Sequence, residues 1–131
     1  MKTEDSLIVG LAQMAPVWLN RERTVAKVVK WVDDAAAAQC QLVAFGEALC
    51  PGYAFWIERT DGARFNSPVQ KELHAHYLDQ AVQIERGDLD EVRDAAAAHH
   101  LAVILGCIER PSDRGGHSLY ASLVFITPQG E

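Results

Sequence analysis

One acidic side chain, Glu47, stands where an apolar segment ends and a turn begins. The residues before it, Leu42–Phe45, are an apolar run typical of a buried strand, and Pro51-Gly52 after it is strong turn punctuation. Glu47 is therefore predicted at the carboxyl end of a strand. In open α/β sheets this edge binds ligands, because the loops that leave the strands diverge there and open a crevice.

A carboxylate in that position is a candidate general base. Its neighbours Phe45, Ala48 and Leu49 are apolar, and we expect them to remove part of the water around the carboxylate. Partial desolvation makes a carboxylate a better base near neutral pH. The aromatic-rich segment 54–66 is predicted to be an irregular loop that covers or lines the site. The alternative is a solvated glutamate at a strand end, which is the commoner role of a single acid.

Apolar patterning predicts an α/β order of elements around this acid. Leu7–Ala12 is nearly continuously apolar, which is typical of a strand covered on both faces, and we predict a central strand there. Asn20 can cap a helix that runs to about Gln39 with one apolar stripe. The strand Leu42–Phe45 follows, so the three elements form a βαβ unit, which favours parallel strands and a right-handed crossover.

The rest of the chain is predicted to add two helices and two strands. The pattern Ser67–Gln70 indicates a capped helix that reaches about Ile84, and a second capping pattern at Asp88 indicates a helix that ends near His99. Two apolar runs are the predicted strands, at residues 101–108 and 119–126. The prediction is an α/β fold with about four strands and three helices.

Composition disfavours several classes of function. The chain has 131 residues, of which 49% are hydrophobic and 23% charged, as in a globular domain. The net charge of -6 disfavours nucleic acid as a partner, because its recognition needs a concentrated basic patch. No apolar run approaches the roughly twenty residues that span a bilayer, and residues 1–5 lack the apolar core of a signal peptide. We therefore expect a cytoplasmic protein with no membrane partner.

The cysteines and histidines give no pattern of a metal site or a disulfide framework. Three cysteines without scaffold spacing indicate reduced thiols. Cys50 is close to Glu47 in sequence but lies inside the turn, so structural roles are favoured for it and for Cys40 and Cys107. The histidines are placed on different sides of one helix or at the end of another. We expect neither a metal ion nor a cofactor.

The segment Phe45–Trp56, FGEALCPGYAFW, resembles the glutamate motif of the nitrilase superfamily, the carbon–nitrogen hydrolases, and more narrowly of its nitrilase branch. The resemblance covers nearly the whole chain. Four further stretches resemble the first strand of the family, the start of its first helix, its strand before a glutamate–arginine pair and its next strand: 7–16, 20–22, 105–110 and 118–122. Gly46 and Ala54 depart from the pattern, since many members have proline there.

The resemblance implies a fold and a mechanism. The fold would be an αββα sandwich, with residues 1–131 as the amino-terminal half of the domain. The mechanism would use a Glu-Lys-Cys triad, in which a cysteine thiolate attacks the carbon of a nitrile or amide and the covalent product is hydrolysed. Glu47 would be the general base, and Tyr53 and Trp56 would be substrate-binding residues near the pocket. Packing alone is the alternative for the two aromatics.

The lysine and the cysteine of the triad have no counterpart in this chain. By the resemblance, the lysine would lie just beyond the turn Thr127–Glu131 and the cysteine further on. We therefore expect the chain to be inactive alone and to leave an apolar sheet face or edge exposed. The expected protein partner is a completing carboxyl-terminal half or further copies in a homo-oligomer. The substrate would be a small nitrile or amide, and the Pro51–Trp56 stretch favours nitriles. The alternatives are a truncated homologue that binds or assembles without catalysis, and an unrelated flavodoxin-like binding domain.

Overall fold

Residues 6–131, the part of the chain that the computed structural model describes, form four strands and four α-helices. In chain order they are β1 Val9–Ala12, α1 Arg21–Ala37, β2 Leu42–Phe45, α2 Trp56–Arg59, α3 Pro68–Gln80, α4 Asp90–His99, β3 Ala102–Glu109 and β4 Tyr120–Ile126, with a 3-10 turn at Ile84–Arg86. The α/β class and the four strands are confirmed. The short α2 is a helix that the sequence did not predict. Residues 1–5, in which a targeting signal was sought, lie outside the described residues.

The strands form one mixed sheet in the order β1-β2-β3-β4. β1, β2 and β3 are parallel, and β4 runs antiparallel to β3. The predicted parallel βαβ unit is confirmed. The prediction of a central first strand is wrong for the described residues, because β1 lies at an edge with Val9 43% and Leu11 81% exposed. The apolar side chains of Val9 and Leu11 therefore form a surface that no other part of residues 6–131 covers.

Helices α1 and α4 pack together on one face of the sheet. The α1 side chains Val28 and Val32, the α4 side chain Val92 and the β3 side chains Val103 and Leu105 have no exposed surface. At the outer end of this layer His99 Nε2 lies 2.8 Å from Asp33 Oδ1 and joins the two helices. Burial of apolar surface between helices and sheet is the main stabilising contribution to this half of the fold.

The opposite face of the sheet is open. Register places Leu11, Ala44, Ile104 and Phe125 in one row across all four strands, and paired residues share a face. No described element packs over this row: Leu11 is 81% exposed, Phe125 56%, and Leu123 on the same face 73%. An exposed apolar sheet face is what the sequence predicted for this chain.

Helix α3 ends at Gln80, before the predicted end near Ile84. Val82 is extended and pairs with the end of β3: its N–H donates to the Ile108 carbonyl at 2.8 Å, and the Arg110 N–H donates to the Val82 carbonyl at 2.8 Å. A helix cannot continue through a residue whose backbone groups bond to a strand. The sequence gives no local sign of this long-range contact.

Two predicted helix caps are wrong. Helix α4 begins at Asp90, because the Asp88 carboxylate accepts hydrogen bonds from the Gln83 N–H at 2.8 Å and from the Arg86 guanidinium at 2.7 Å instead of capping. Ser67 precedes α3 but its side chain forms no cap hydrogen bond, and the Gln70 amide donates to Thr60 instead. In each case the side chain bonds to a residue that precedes the helix instead of forming the predicted cap.

The described residues contain no helix with the length and apolar character needed to cross a membrane.

Asn20 caps α1 as predicted, since its side-chain oxygen accepts from the Arg23 N–H at 2.9 Å. We predict that Asn20→Ala lowers the free energy of unfolding by about 1 kcal/mol, because an N–H at the helix start loses its partner. Chemical denaturation measures this loss. Ser67→Ala is the matched control and should change stability by less than about 0.5 kcal/mol. Equal losses in the two variants would contradict the difference between the caps.

Candidate active site

After β2 the chain leaves the sheet for one turn and then returns to it. Gly46–Leu49 form the turn, and Cys50 pairs again with β3: its N–H donates to the Gly106 carbonyl at 3.3 Å, and the Ile108 N–H donates to the Cys50 carbonyl at 2.8 Å. The peptide bond between Cys50 and Pro51 is cis. Glu47 therefore lies just past the carboxyl end of β2, as the sequence predicted.

Glu47 is exposed, whereas its apolar neighbours are buried. Phe45 is 5% exposed, Ala48 3% and Leu49 6%, because all three turn into the protein interior. The expectation that these neighbours desolvate the carboxylate is wrong for the described residues. An apolar neighbour in sequence shields a carboxylate only when both side chains point the same way.

A cleft of about 250 Å³ opens beside Glu47. Its apolar walls include Ile57, Ile108 and Ala121. Residues with polar side chains that also line it are Glu47, Glu58, Tyr53, Tyr77 and Tyr120. An apolar cavity with a few polar groups that point into it is the usual form of a small-molecule site.

The two predicted substrate-binding aromatics lie in different places. Tyr53 is 61% exposed and lines the cleft with Glu47. Trp56, at the start of α2, is 6% exposed and is not among the residues that line the cleft. Its ring packs edge-on against Tyr77 with the centroids 6.0 Å apart, and its indole N–H has no hydrogen-bond partner among the described residues. The structure therefore brings Tyr53 to Glu47 and places Trp56 behind Tyr77.

Side chains from distant parts of the chain complete the cleft, and the sequence did not identify them. They are Glu58 from α2, Tyr77 from α3 and Tyr120 from β4. A signal was present only for Tyr77, the one aromatic residue of α3 other than its histidines, and it is the buried residue of that helix. Glu58 and Tyr120 carried no sequence signal.

Hydrogen bonds from both sides hold the segment that follows Glu47. The Tyr77 hydroxyl donates to the Gly52 carbonyl at 2.7 Å, and the Trp18 indole donates to the Tyr53 carbonyl at 3.1 Å. Trp18 also stacks on Phe55 with ring centroids 4.5 Å apart. Burial raises the pKa of Tyr77 above its usual value, so the phenol keeps the proton that it donates. The cleft wall is therefore fixed by side chains outside the glutamate motif.

None of the three cysteine thiols lines the cleft. Cys50 and Cys107 are fully buried, and Cys107 alternates along β3 with Gly106 and Ile108, so it points to the face that α1 and α4 cover. Burial raises the pKa of each thiol from 9.0 to about 12, so both remain protonated at neutral pH. Cys40 lines a groove between β1 and α1.

No lysine of the described residues lines the cleft either. Lys27 donates to the Ala15 carbonyl, and Lys30 and Lys71 are exposed on α1 and α3. Within residues 6–131, no three His, Cys, Asp or Glu side chains are grouped so that they could hold a metal ion. Among residues 6–131, the cleft is thus lined by glutamate and tyrosine side chains, and by no thiol or ammonium group.

The chain belongs to the carbon–nitrogen hydrolase family, because its sequence matches the family model named Carbon-nitrogen hydrolase over residues 8–131. Recognition of the family from the glutamate motif is confirmed. An arylacetonitrilase of Macrophomina phaseolina is 35% identical over 125 residues, which are 95% of this chain and 33% of that protein. An arylacetonitrilase of Arthroderma benhamiae is 30% identical over 126 residues, 96% of this chain and 35% of that protein.

Solved structures share the fold. An amidase from Nesterenkonia sp. superposes with a TM-score of 0.64 at 14% sequence identity, over 95% of this chain and 40% of the amidase. The nitrilase-like α/β fold is thereby confirmed. The chain spans about a third of the length of the two arylacetonitrilases, 33% and 35%.

Burial of the two inner thiols predicts their reactivity. A thiol reagent added to the native chain at pH 8 should modify Cys40 and leave Cys50 and Cys107 unmodified until the chain is unfolded, because the thiolate is the reactive form. Absorbance of the released chromophore counts the modified thiols. Cys40→Ser should then show no fast reaction, and rapid modification of two or three thiols in the native chain would contradict the burial.

The hydroxyl of Tyr77 should matter for stability. Tyr77→Phe leaves the buried Gly52 carbonyl without its donor and should lower the free energy of unfolding by about 1–3 kcal/mol. The matched control is Tyr120→Phe, because the Tyr120 hydroxyl forms no hydrogen bond with another described residue. Chemical denaturation compares the two variants, and similar losses would show that the hydrogen bond to Gly52 contributes nothing.

Proposed function

We propose that Glu47 is the general base of a thiol-dependent carbon–nitrogen hydrolase that converts a nitrile, or an amide, into a carboxylic acid and ammonia. The observation that carries the proposal is the position of Glu47: an accessible carboxylate in a cleft at the carboxyl end of β2, in a chain of the carbon–nitrogen hydrolase family. Strand ends of this kind hold catalytic groups on rigid elements.

The proposed chemistry begins with proton transfer. The Glu47 carboxylate takes the thiol proton while sulfur bonds to the nitrile carbon, and the protonated Glu47 gives this proton to the nitrile nitrogen as one π bond of C≡N breaks, which leaves a thioimidate. Glu47 then takes one proton from a water whose oxygen bonds to the thioimidate carbon, and gives this proton to nitrogen as the remaining C=N π bond breaks. The proton of the new hydroxyl group moves to nitrogen in the same way, the C–N bond breaks, and ammonia leaves a thioester. A second water cleaves the resulting thioester and frees the acid and the thiol. An ammonium group stabilises the charge that develops on the substrate.

The thiol and the ammonium group come from outside residues 1–131 in this proposal. Support comes from the positions of the cysteines and lysines described above and from the match to only 33% of the length of an arylacetonitrilase. A carboxyl-terminal half would supply them, and the complete protein would form a homo-oligomer. The chain alone would then be inactive, as the amino-terminal half of an αββα sandwich domain.

We propose an arylacetonitrile as the substrate in preference to an amide. The cleft combines apolar walls with the phenols of Tyr53, Tyr77 and Tyr120, which suits a small neutral aromatic molecule. The relatives at 35% and 30% identity are arylacetonitrilases. Tyr53 would contact the substrate directly. Trp56 would affect substrate binding indirectly, because it packs against Tyr77. The protein is proposed to be cytoplasmic and to need no cofactor.

A second candidate is a homologue that assembles with a partner and does not catalyse. The open sheet face favours it, since Leu11 and Leu123 are 81% and 73% exposed, and large exposed apolar patches mark contact surfaces. Release of ammonia by the complete protein would exclude this candidate. Stable association without any turnover of nitriles or amides would support it.

Glu47→Gln keeps the shape of the side chain and removes its basicity. In the complete protein we predict that kcat for ammonia release from phenylacetonitrile falls by about 10²–10⁴-fold, the usual contribution of a general base. Glu91→Gln, which makes the same change at an exposed position on α4, is the control and should leave kcat unchanged.

Two outcomes would contradict the proposal. Activity of Glu47→Gln above a tenth of the wild-type value would exclude Glu47 as the base. Ammonia release by residues 1–131 alone, at the rate of the complete protein, would show that the thiol lies within this chain.

A further inference from the structure

Gly106 lies on β3 directly beneath the turn that carries Glu47. A Cβ placed at this position would lie 2.8 Å from Glu47 Cα and 3.0 Å from the Ala48 nitrogen, and closer still to the carbonyl oxygen of Gly46. All three are backbone atoms and cannot rotate away as a flexible side chain would. Any side chain at position 106 must therefore move the turn or the strand.

The turn has little room to move elsewhere. On one side it continues from β2, and on the other Cys50 is tied to β3 by the hydrogen bonds to Gly106 and from Ile108, at 3.3 Å and 2.8 Å. Between them Ala48 is 3% exposed with a φ of 52°, a left-handed conformation that few residues other than glycine adopt. A side chain at position 106 would therefore displace the turn Gly46–Leu49, which includes Glu47.

Gly46, the other glycine of this contact, is different. A Cβ at Gly46 would meet no atom within 4 Å. The close approach of the turn to β3 therefore depends on glycine at position 106 and not on glycine at position 46. This difference provides a matched pair of glycine-to-alanine changes on the two sides of one contact.

We propose that Gly106 is a positioning residue for Glu47: the bare backbone of β3 at this point sets how closely the turn approaches the sheet, and so where the carboxylate stands relative to the reacting thiol. The inference rests on the proposed function of Glu47. Misplacement of a catalytic group by about 1 Å can lower a rate by about 100-fold. A single methyl group at position 106 forces a displacement of the turn.

The test compares Gly106→Ala, Gly46→Ala and Glu47→Gln in the complete protein, with ammonia release from phenylacetonitrile measured per mole of folded protein. Gly106→Ala should lower kcat by about 100-fold with KM changed by less than about threefold, because the substrate still binds while the base is misplaced. Gly46→Ala should retain kcat within about twofold. A purely structural role of Gly106 would lower the folded fraction and leave kcat of the folded protein unchanged.

If Gly106→Ala does not accumulate as folded protein, the double variant Gly106→Ala/Ala48→Gly carries the test. Glycine at position 48 lets the turn move away from the new methyl group, so the double variant should fold and have a kcat about 100-fold below that of Ala48→Gly alone. Failure of both variants to fold, while Gly46→Ala folds, would overturn the proposal in favour of a general role in the sheet.

The outcomes separate this inference from the function on which it rests. Loss of activity in Glu47→Gln with normal kcat in folded Gly106→Ala would overturn the positioning role alone. Normal activity in Glu47→Gln would overturn the proposed function, whatever Gly106→Ala does.

Discussion

Two backbone hydrogen bonds between Cys50 and β3 determine where the chain goes after β2 ends. They bring the chain back to the sheet only three residues after Glu47, so the intervening residues must arch over β3 as a tight turn. The arch puts Glu47 in the cleft wall and brings Pro51 and Gly52 to Tyr77, whose hydroxyl donates to the Gly52 carbonyl. The same pairing buries the Cys50 thiol on the helix-covered side. The pairing of Cys50 with β3 thus sets the position of Glu47 and also keeps the Cys50 thiol buried and protonated.

The two faces of the sheet have different roles. The face under α1 and α4 is closed and supplies the core, whereas the open face carries Leu11 and Phe125 with large exposed areas. Burial of this exposed apolar surface would contribute about 25 cal/mol per Å² to stability. Ile108 and Ala121 belong to the open face by register and also line the cleft. A segment that covers this face as far as Ala121 would therefore also form part of the cleft wall, which would couple completion of the fold to completion of the site.

Local signals in the sequence were sufficient for the elements and for the acid. Strand β2 and the turn around Glu47 follow from an apolar run and Pro51-Gly52, and the cap at Asn20 needs only the next three residues. Contacts between distant residues were not predictable. The end of α3 depends on the pairing of Val82 with Glu109. The start of α4 depends on nearer partners of Asp88, the Gln83 N–H and the Arg86 guanidinium, which the capping pattern did not indicate.

The candidate site shows the same division. Glu47 and Tyr53 lie on one short segment and were identified together, whereas Tyr77 and Tyr120 come from elements that sequence spacing does not relate to it. The directions of side chains could not be predicted from the sequence either. Ala48 and Leu49 are apolar neighbours of Glu47 but are buried on the side away from it. Trp56 packs against Tyr77 and does not line the cleft. Direction depends on how the turn packs on Gly106, a contact across about sixty positions of sequence.

Glu47 is proposed to act on a thiol supplied from outside this chain. The structure of the complete protein, with a nitrile-derived adduct trapped on its reactive cysteine, tests this proposal. We expect a Glu47 carboxylate oxygen about 3–4 Å from the sulfur that carries the adduct, within reach of proton transfer. A separation beyond about 7 Å, or an adduct on Cys40, Cys50 or Cys107, would contradict it.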